Sequence, residues 1–383
     1  MKKRIIGIML IIVLVVSLAV TVAACNNSNK TKIGVMLYNF TDIQGTEIKS
    51  YCEYLEKNFD VEFVYEAVGS NDEAHISGLQ NLLSQGCNAV ISGYDTALSR
   101  SIAMCEDAGA YYAVLLGEVS KYEYLEENGY QPTLVEGMDS KYFLGGVTQF
   151  GGDPETVGVA YAEAAYAAGL KKIGAISFPT FTFKDGETIY NSFKTKLAEL
   201  DPTANVYELQ TFMYTQELCE AEVTKLLTNH PDVEAVLGLG SGLDYIYPAL
   251  QNAGSNAKLL ALGYNNTVES LLSQGKLLTA GTNNYTQCVA SVFVRIWDAL
   301  NGKSFADQGE DDINGIAGYP IITSSADLAD FKSYIIPSDK ANGSITAEEL
   351  KNAMVTYNEN ATWAALNELT GRTLAEIKEA RAA

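Results

Sequence analysis

From residue 32 onward the chain alternates short β-branched apolar runs with longer segments whose apolar residues recur every three or four positions. Lys32 to Leu37 predicts a first strand, and Gly45 to Asn58 sets Ile48, Tyr51, Cys52 and Leu55 on one helical face. Val61 to Val68 predicts a second strand. Asn71 or Asp72 can cap a helix whose inner face is Ile76, Leu79, Leu82 and Leu83, ending at Gly86. Ala89 to Gly93 is short and continuously apolar, as a strand covered on both faces must be. A helix from Ala97 to Ala108, stopped at Gly109, and a strand from Tyr111 to Leu116 follow. Strand and helix in regular alternation imply a parallel sheet with right-handed crossovers.

Gly117 to Phe150 breaks that rhythm, with an acidic, tyrosine-rich patch at Tyr122 to Glu127 and a strand signal at Thr133 to Glu136. The alternation then resumes. Helices are predicted at Thr156 to Ala168, Glu187 to Leu200, Gln216 to Asn229, Leu243 to Ala253, Thr267 to Ser273 and Thr286 to Leu300. Strands are predicted at Lys172 to Ser177, Asn205 to Leu209, Ala235 to Leu239, Lys258 to Leu262, Leu278 to Thr282 and Pro320 to Thr323. This is two similar α/β units in tandem, each of ordinary domain size. Past Ser338 the pattern turns helical: Thr346 to Glu349 is a capping-box signature, and Thr362 to Leu369 suggests another helix. The tail is expected to pack on a lobe.

The first residues are a targeting signal rather than part of the fold. Lys2, Lys3 and Arg4 precede an apolar run from Ile5 to Val22, followed by Ala23, Ala24 and Cys25. The arrangement resembles a bacterial lipoprotein signal peptide, in which Cys25 becomes the lipidated first residue; palmitate or a related acyl chain would hold the protein on the membrane. A plain transmembrane anchor is the rival, because the run is near the ~20 residues needed to span a bilayer. Asn26 to Thr31 is a polar leash.

The formal charge of -21 opposes binding to nucleic acid and to anionic lipid headgroups. Cys52, Cys87, Cys105, Cys219 and Cys288 show neither metal-finger nor CxxC spacing and read as buried thiols. The two histidines, His75 and His230, have no ligand-spaced neighbours, so no metal site is expected. A GxSxG elbow and a GxxxxGK[ST] phosphate loop are both missing. Gly238 to Gly242 has the density of a phosphate turn without the rest of a dinucleotide fingerprint, so no cofactor is expected.

Five segments, in this order and spacing, carry a resemblance: Ile33 to Met36 with the aromatic loop after it, Leu82 to Ser92, His230 to Leu237, Leu260 to Asn265, and Gly275 to Ala280. Together they resemble the type I periplasmic-binding-protein superfamily, in particular its ribose-type sugar-binding branch, over roughly Lys32 to Ser324. The resemblance implies two Rossmann-like lobes with parallel sheets joined by a three-strand hinge, and no enzymatic activity. It places residues 32–150 and 284–318 in an N-terminal lobe and 151–283 and 319–337 in a C-terminal lobe. Residues 1–24 are then the signal peptide, 25–31 the leash and 338–383 a helical appendage.

Ligand is expected between the carboxyl ends of the two sets of strands, which is also the general rule for open α/β sheets. Tyr38, Asn39, Phe40, Tyr94, Asp95 and Glu118 would line it from the first lobe. Phe178, Phe181, Phe183, Ser241, Tyr264 and Asn265 would line it from the second, with Asn283 or Asn284 at a crossing. Aromatic faces could sandwich a solute while amides and carboxylates bind its edge. The branch commonly has an Asn-Asp pair where this chain has Gly240-Ser241, an acid where it has Asn265, and a basic residue near Thr188-Ile189. Those departures remove charged groups that would grip sugar hydroxyls. The implied role is capture of a small, neutral, sugar-like solute for the permease subunits of an ABC transporter, at the outer face of the cytoplasmic membrane. A solute-sensing receptor component, or a binder of a nucleoside or other metabolite, is the alternative.

Overall fold

The computed structural model describes residues 30–125 and 128–382. The leader and Cys25, with most of the leash, lie outside the described residues, and among those described no helix is long and apolar enough to cross a membrane.

Two parallel sheets organise the chain. In the first lobe β1 (Thr31–Leu37), β2 (Val61–Ala67), β3 (Ala89–Ser92) and β4 (Tyr111–Val114) lie in the order β2-β1-β3-β4. The sheet is extended past β4 by residues 142–145, through Tyr112 N–H to Tyr142 O at 2.7 Å and Val114 N–H to Gly145 O at 2.9 Å. Beyond them β7 (Gly146–Thr148) pairs in parallel with β14 (Asn314–Ile316). Buried Arg295 secures this edge by donating to the carbonyls of Leu144, Gly146 and Ile313. Helices α1 (Ile43–Glu56), α2 (Asp72–Ser84) and α3 (Leu98–Ala108) cover the sheet. The first two begin at the side-chain caps Asp42 and Asn71.

Between β4 and β7 the irregular span folds into an antiparallel hairpin of β5 (Tyr122–Tyr124) and β6 (Pro132–Leu134). Buried Glu123 fastens it to α3 by accepting from the Ser99 hydroxyl and N–H.

The second lobe follows the same plan. Strands β8 (Lys172–Ser177), β10 (Gln210–Thr211), β11 (Ala235–Gly238), β12 (Lys258–Leu262), β13 (Leu277–Gly281) and β15 (Ile321–Ile322) form the order β10-β8-β11-β12-β13-β15, in which only β15 is antiparallel. The single strand expected over Asn205 to Leu209 is broken: β9 (Asn205–Val206) pairs with the start of β8 and β10 with its end. Between them the Tyr207 ring turns to stack on His230 at 3.7 Å. Helices α4 (Pro154–Ala167), α5 (Lys184–Leu200), α6 (Gln216–Asn229), α7 (Tyr247–Asn252) and α8 (Val268–Ser273) pack on it.

The three crossings lie side by side. Residues 149–153 leave β7 for α4, residues 282–284 leave β13 for α9 (Tyr285–Leu300), and residues 317–320 leave β14 for β15. Gly151 N–H donates to Ala317 O at 3.0 Å, and Asn284 N–H donates to Gly318 O at 3.1 Å. Helix α9 is buried almost throughout, in the core of the first lobe.

Two helices had no counterpart in the sequence reading: α10 (Ser325–Tyr334), within the span assigned to the C-terminal lobe, and α13 (Leu374–Ala382), in the tail. The tail does not sit on one lobe. Helices α11 (Ala347–Ala353) and α12 (Trp363–Thr370), with Met354 after α11, add Leu350, Met354, Trp363 and Leu366 to the first lobe's core, while α13 adds Ile377 to the second's, beside Leu328 and Phe331 of α10. All five described cysteines are free and buried, in keeping with their apolar helix and strand neighbourhoods.

Candidate functional site

Both sheets present the carboxyl ends of their strands to the same gap. On the first lobe's side, Tyr38 follows β1, Tyr94 and Asp95 follow β3, and Glu118 follows β4. Tyr38 is 51% exposed and Tyr94 is 40% exposed, large values for aromatic residues directly after buried strands. The Tyr94 hydroxyl is held by the Gln44 side-chain amide at 3.0 Å, so the start of α1 fixes its position. Water reaches Asp95, yet protein surrounds it. That desolvation pushes its carboxyl above the usual range, with Glu123 adding to the rise and Lys184 opposing it.

On the second lobe's side an aromatic wall stands after β8 and β10. Phe178 packs against Phe212 at 5.1 Å, Tyr214 at 4.5 Å and Tyr245 at 6.3 Å. Gly240 lies against Phe178: a Cβ there would sit 2.8 Å from the Phe178 nitrogen, so a larger residue would displace the wall. Burial raises the Tyr214 hydroxyl's pKa, with Tyr130 and Asp95 of the other lobe adding to it. Tyr214 itself is 46% exposed, beside Phe178.

Among the described residues, contacts join the lobes at the mouth. The Tyr130 ring, from the hairpin, packs on Phe181 in a tilted arrangement with centroids 4.8 Å apart. Tyr130 has φ +58, directly after Gly129 at φ +67, and this left-handed pair turns the ring toward the opposite lobe. Nearby, Lys184 Nζ at the start of α5 meets the Glu118 carboxylate at 3.2 Å.

Not every expected residue faces this cleft. Asn39 and Asn265 stand at its rim but use their side chains locally: Asn39 accepts from the N–H groups of Thr41 and Asp42, and Asn265 donates to Asp244 at 2.7 Å while accepting from Thr267. Ser241, at φ +47, uses its carbonyl to start the turn toward α7. Phe40 turns back onto Tyr65 at 5.3 Å, and Phe183 packs toward Phe150 at 6.1 Å. Placement in the cleft is corrected for three more. Tyr264 is buried against Phe331 at 4.6 Å. Asn284 is fully buried, capping α9 and donating to Ser344 Oγ at 2.8 Å. Asn283, whose Oδ1 is buried without a hydrogen-bond partner, lines a small cavity together with Glu47, Tyr264 and Thr282.

Sequence reading missed Gln44, Tyr130, Lys184, Tyr214 and Tyr245. Lys184 was within reach, since it directly follows the aromatic loop and opens a helix. The second lobe is therefore not without a cation at the cleft, although this one is already paired. Among the described residues no group of three His, Cys, Asp or Glu side chains could hold a metal ion. His75 is buried and contacts Ser101 Oγ at 3.2 Å, away from the gap, and desolvation lowers its pKa to about 4.

No protein-family model and no curated protein sequence matches the chain. Solved structures do resemble it. A substrate-binding protein of a sugar ABC transport system from Bordetella parapertussis 12822 aligns over 78% of this chain and 90% of its own, at 15% identity and a TM-score of 0.58. A periplasmic solute-binding protein of an ABC transporter from Actinobacillus succinogenes 130z, with bound D-allose, covers 78% of this chain and 100% of its own at 16% identity and a TM-score of 0.58. An arabinose-binding protein from Geobacillus stearothermophilus covers 78% and 99%, at 13% identity and a TM-score of 0.59. At such identities the likeness establishes the two-lobed fold.

Proposed function

We propose that this chain captures a small, neutral, sugar-like solute between its lobes and delivers it to the permease subunits of an ABC transporter, performing no reaction itself. In this reading it is tethered by a lipid at Cys25 to the outer face of the cytoplasmic membrane. One observation carries the proposal: loops at the carboxyl ends of two parallel sheets face each other and touch, with Tyr94, Asp95 and Tyr214 exposed on those loops. The structural relatives described as sugar-transport or sugar-bound proteins supply the solute class.

Such a cleft works by closure. A solute that touches both walls only in the shut form shifts the population of lobes toward that form, by no more than its differential affinity for the two states. Phe178 and Tyr214 offer apolar faces for ring carbons, while Asp95 and the Tyr94 hydroxyl offer partners for hydroxyl groups. A second reading, a nucleoside, is favoured by the density of aromatic faces and by the local use of both rim amides, Asn39 and Asn265. His75 and His230 are both occupied away from the cleft, which supports binding over acid-base chemistry.

The test is mass spectrometry of small molecules released on unfolding freshly purified protein, followed by calorimetry with a panel of pentoses, hexoses, polyols and nucleosides. Release and micromolar rebinding of one class supports the proposal. Nothing released, and no panel member binding better than millimolar, overturns it.

A further inference from the structure

We propose that residues 336–382 are a strap that completes the hinge, adding two chain passages beside the three crossings and restricting how far the lobes open. The inference goes beyond solute capture and rests on the tail's own contacts. Leaving α10 in the second lobe, the chain returns to the first. There Ile345 and α11 bury against α1: Tyr51 donates its hydroxyl hydrogen to Ile345 O at 3.2 Å, and Ala347 N–H donates to the Tyr54 hydroxyl at 2.9 Å. Lys340, on the way, forms a buried ion pair with Glu47. After α12 the chain goes back once more, and α13 buries Ile377 in the second lobe's core while Lys378 Nζ meets Asp330 at 2.7 Å.

Between these anchors the strap is bonded to the crossings themselves. Gly318 N–H lies 3.1 Å from Thr370 O and 2.9 Å from Gln287 Oε1, and the Gln287 amide donates to Arg372 O at 2.9 Å. A Cβ on Gly318 would come within 2.6 Å of Arg372 O, so the approach of strap to hinge requires glycine there. Glu349 of α11 joins Arg372 at 2.6 Å and also pairs with Arg381 of α13. Burial alone would raise the Glu349 carboxyl; the Thr346 N–H and the two guanidinium groups outweigh it and hold it low.

The link from α12 to α13 is residues 371–373. Three residues reach at most about 10 Å when fully extended. Wide separation of the lobes would therefore pull Ile377 from its core or break the Glu349 to Arg381 pair. Without the strap, rotation about three strands is the ordinary expectation for domains joined this way.

The test uses the full chain without solute, in a Cys25→Ser background, with nitroxide labels on Ser70→Cys and Glu217→Cys. Both positions are exposed beside the cleft on opposite lobes, and the five described native thiols are buried. Pulsed electron-electron resonance should give a narrow distance distribution in the parent. Two strap variants are compared, Ile377→Asp and the milder pair Lys378→Glu with Arg381→Glu, and trypsin cutting after Arg372 reports release of α13. Release with distances shifted longer and broadened supports the strap, with Ile377→Asp moving further. Release with unchanged distances overturns it, as does a failure of either variant to release α13; if Ile377→Asp does not fold, the charge-reversal pair decides on the same criteria.

Discussion

The cleft is held at its two sides by different chemistry. On the hinge side the polar contacts are sealed from water: Lys340 with Glu47, Asn284 with Ser344, and Gln287 with Gly318 and Arg372. At the mouth, the Glu118 and Lys184 side chains are 41% and 53% exposed, and an aromatic pair lies beside them. Breaking one partner of a buried ion pair costs about 3–5 kcal/mol, whereas exposed pairs contribute about 0–1 kcal/mol. The lobes should therefore part at the mouth and turn about the hinge, which would open the cleft without exposing either core.

The largest expected effect tests the sealed side. Lys340→Met leaves Glu47 charged and buried, and should lower unfolding stability by about 3–5 kcal/mol in urea titrations. Adding Glu47→Leu should recover most of that loss. Recovery would identify the loss as an unpaired charge, and failure to recover would mean that the pair also fixes the path of the chain.

A somewhat smaller effect provides a reference inside one lobe, touching neither side of the cleft. Burial lowers the His75 pKa from 6.5 to about 4. In this case the unfolded chain takes up the proton first, so stability is fully present above about pH 6.5 and falls as the pH drops toward 4. The loss should approach about 3 kcal/mol at the bottom of that window. His75→Gln should flatten this part of the profile of unfolding midpoint against pH.

The smallest effects belong at the mouth. Tyr130→Ala removes an aromatic pair worth about 0.5–1.5 kcal/mol. It should leave the thermal midpoint nearly unchanged while raising the dissociation rate of a bound solute by up to about tenfold, measured by stopped flow. Lys184→Ala should do less, about twofold, and its effect should vanish in high salt. Equal effects of Lys184→Ala at low and high salt would mean that the ion pair is less open to water than its exposure implies.

The parallel lobes were legible because buried strands such as Ala89 to Ser92 and Ala235 to Gly238 leave uninterrupted apolar runs between helices with regular faces. The strand-end positions of Tyr38, Tyr94, Asp95 and Glu118 were legible, because a strand end dictates where the next residues emerge. Legibility failed for Asn284, whose amide caps a helix and meets Ser344, 60 positions later; no local pattern announces such a partner. Helix α10 did carry a local signal, a Ser324 side chain capping the Asp327 N–H, but its apolar residues Leu328 and Phe331 are too few to form a clear stripe. Tyr130 stayed hidden because its role comes from a two-residue left-handed turn and a partner on the other lobe.

The distribution of the tail also bears on the order in which this molecule can fold. Glu47, Tyr51 and Tyr54 find partners near residues 340–347, almost three hundred positions downstream, and one wall of the first lobe's core comes from α11 and α12. Chains are made from the amino end, and contacts this distant in sequence form slowly. The first lobe, begun earliest, is thus finished late: Phe59 waits only partly covered until residues 345–369 arrive to complete its core.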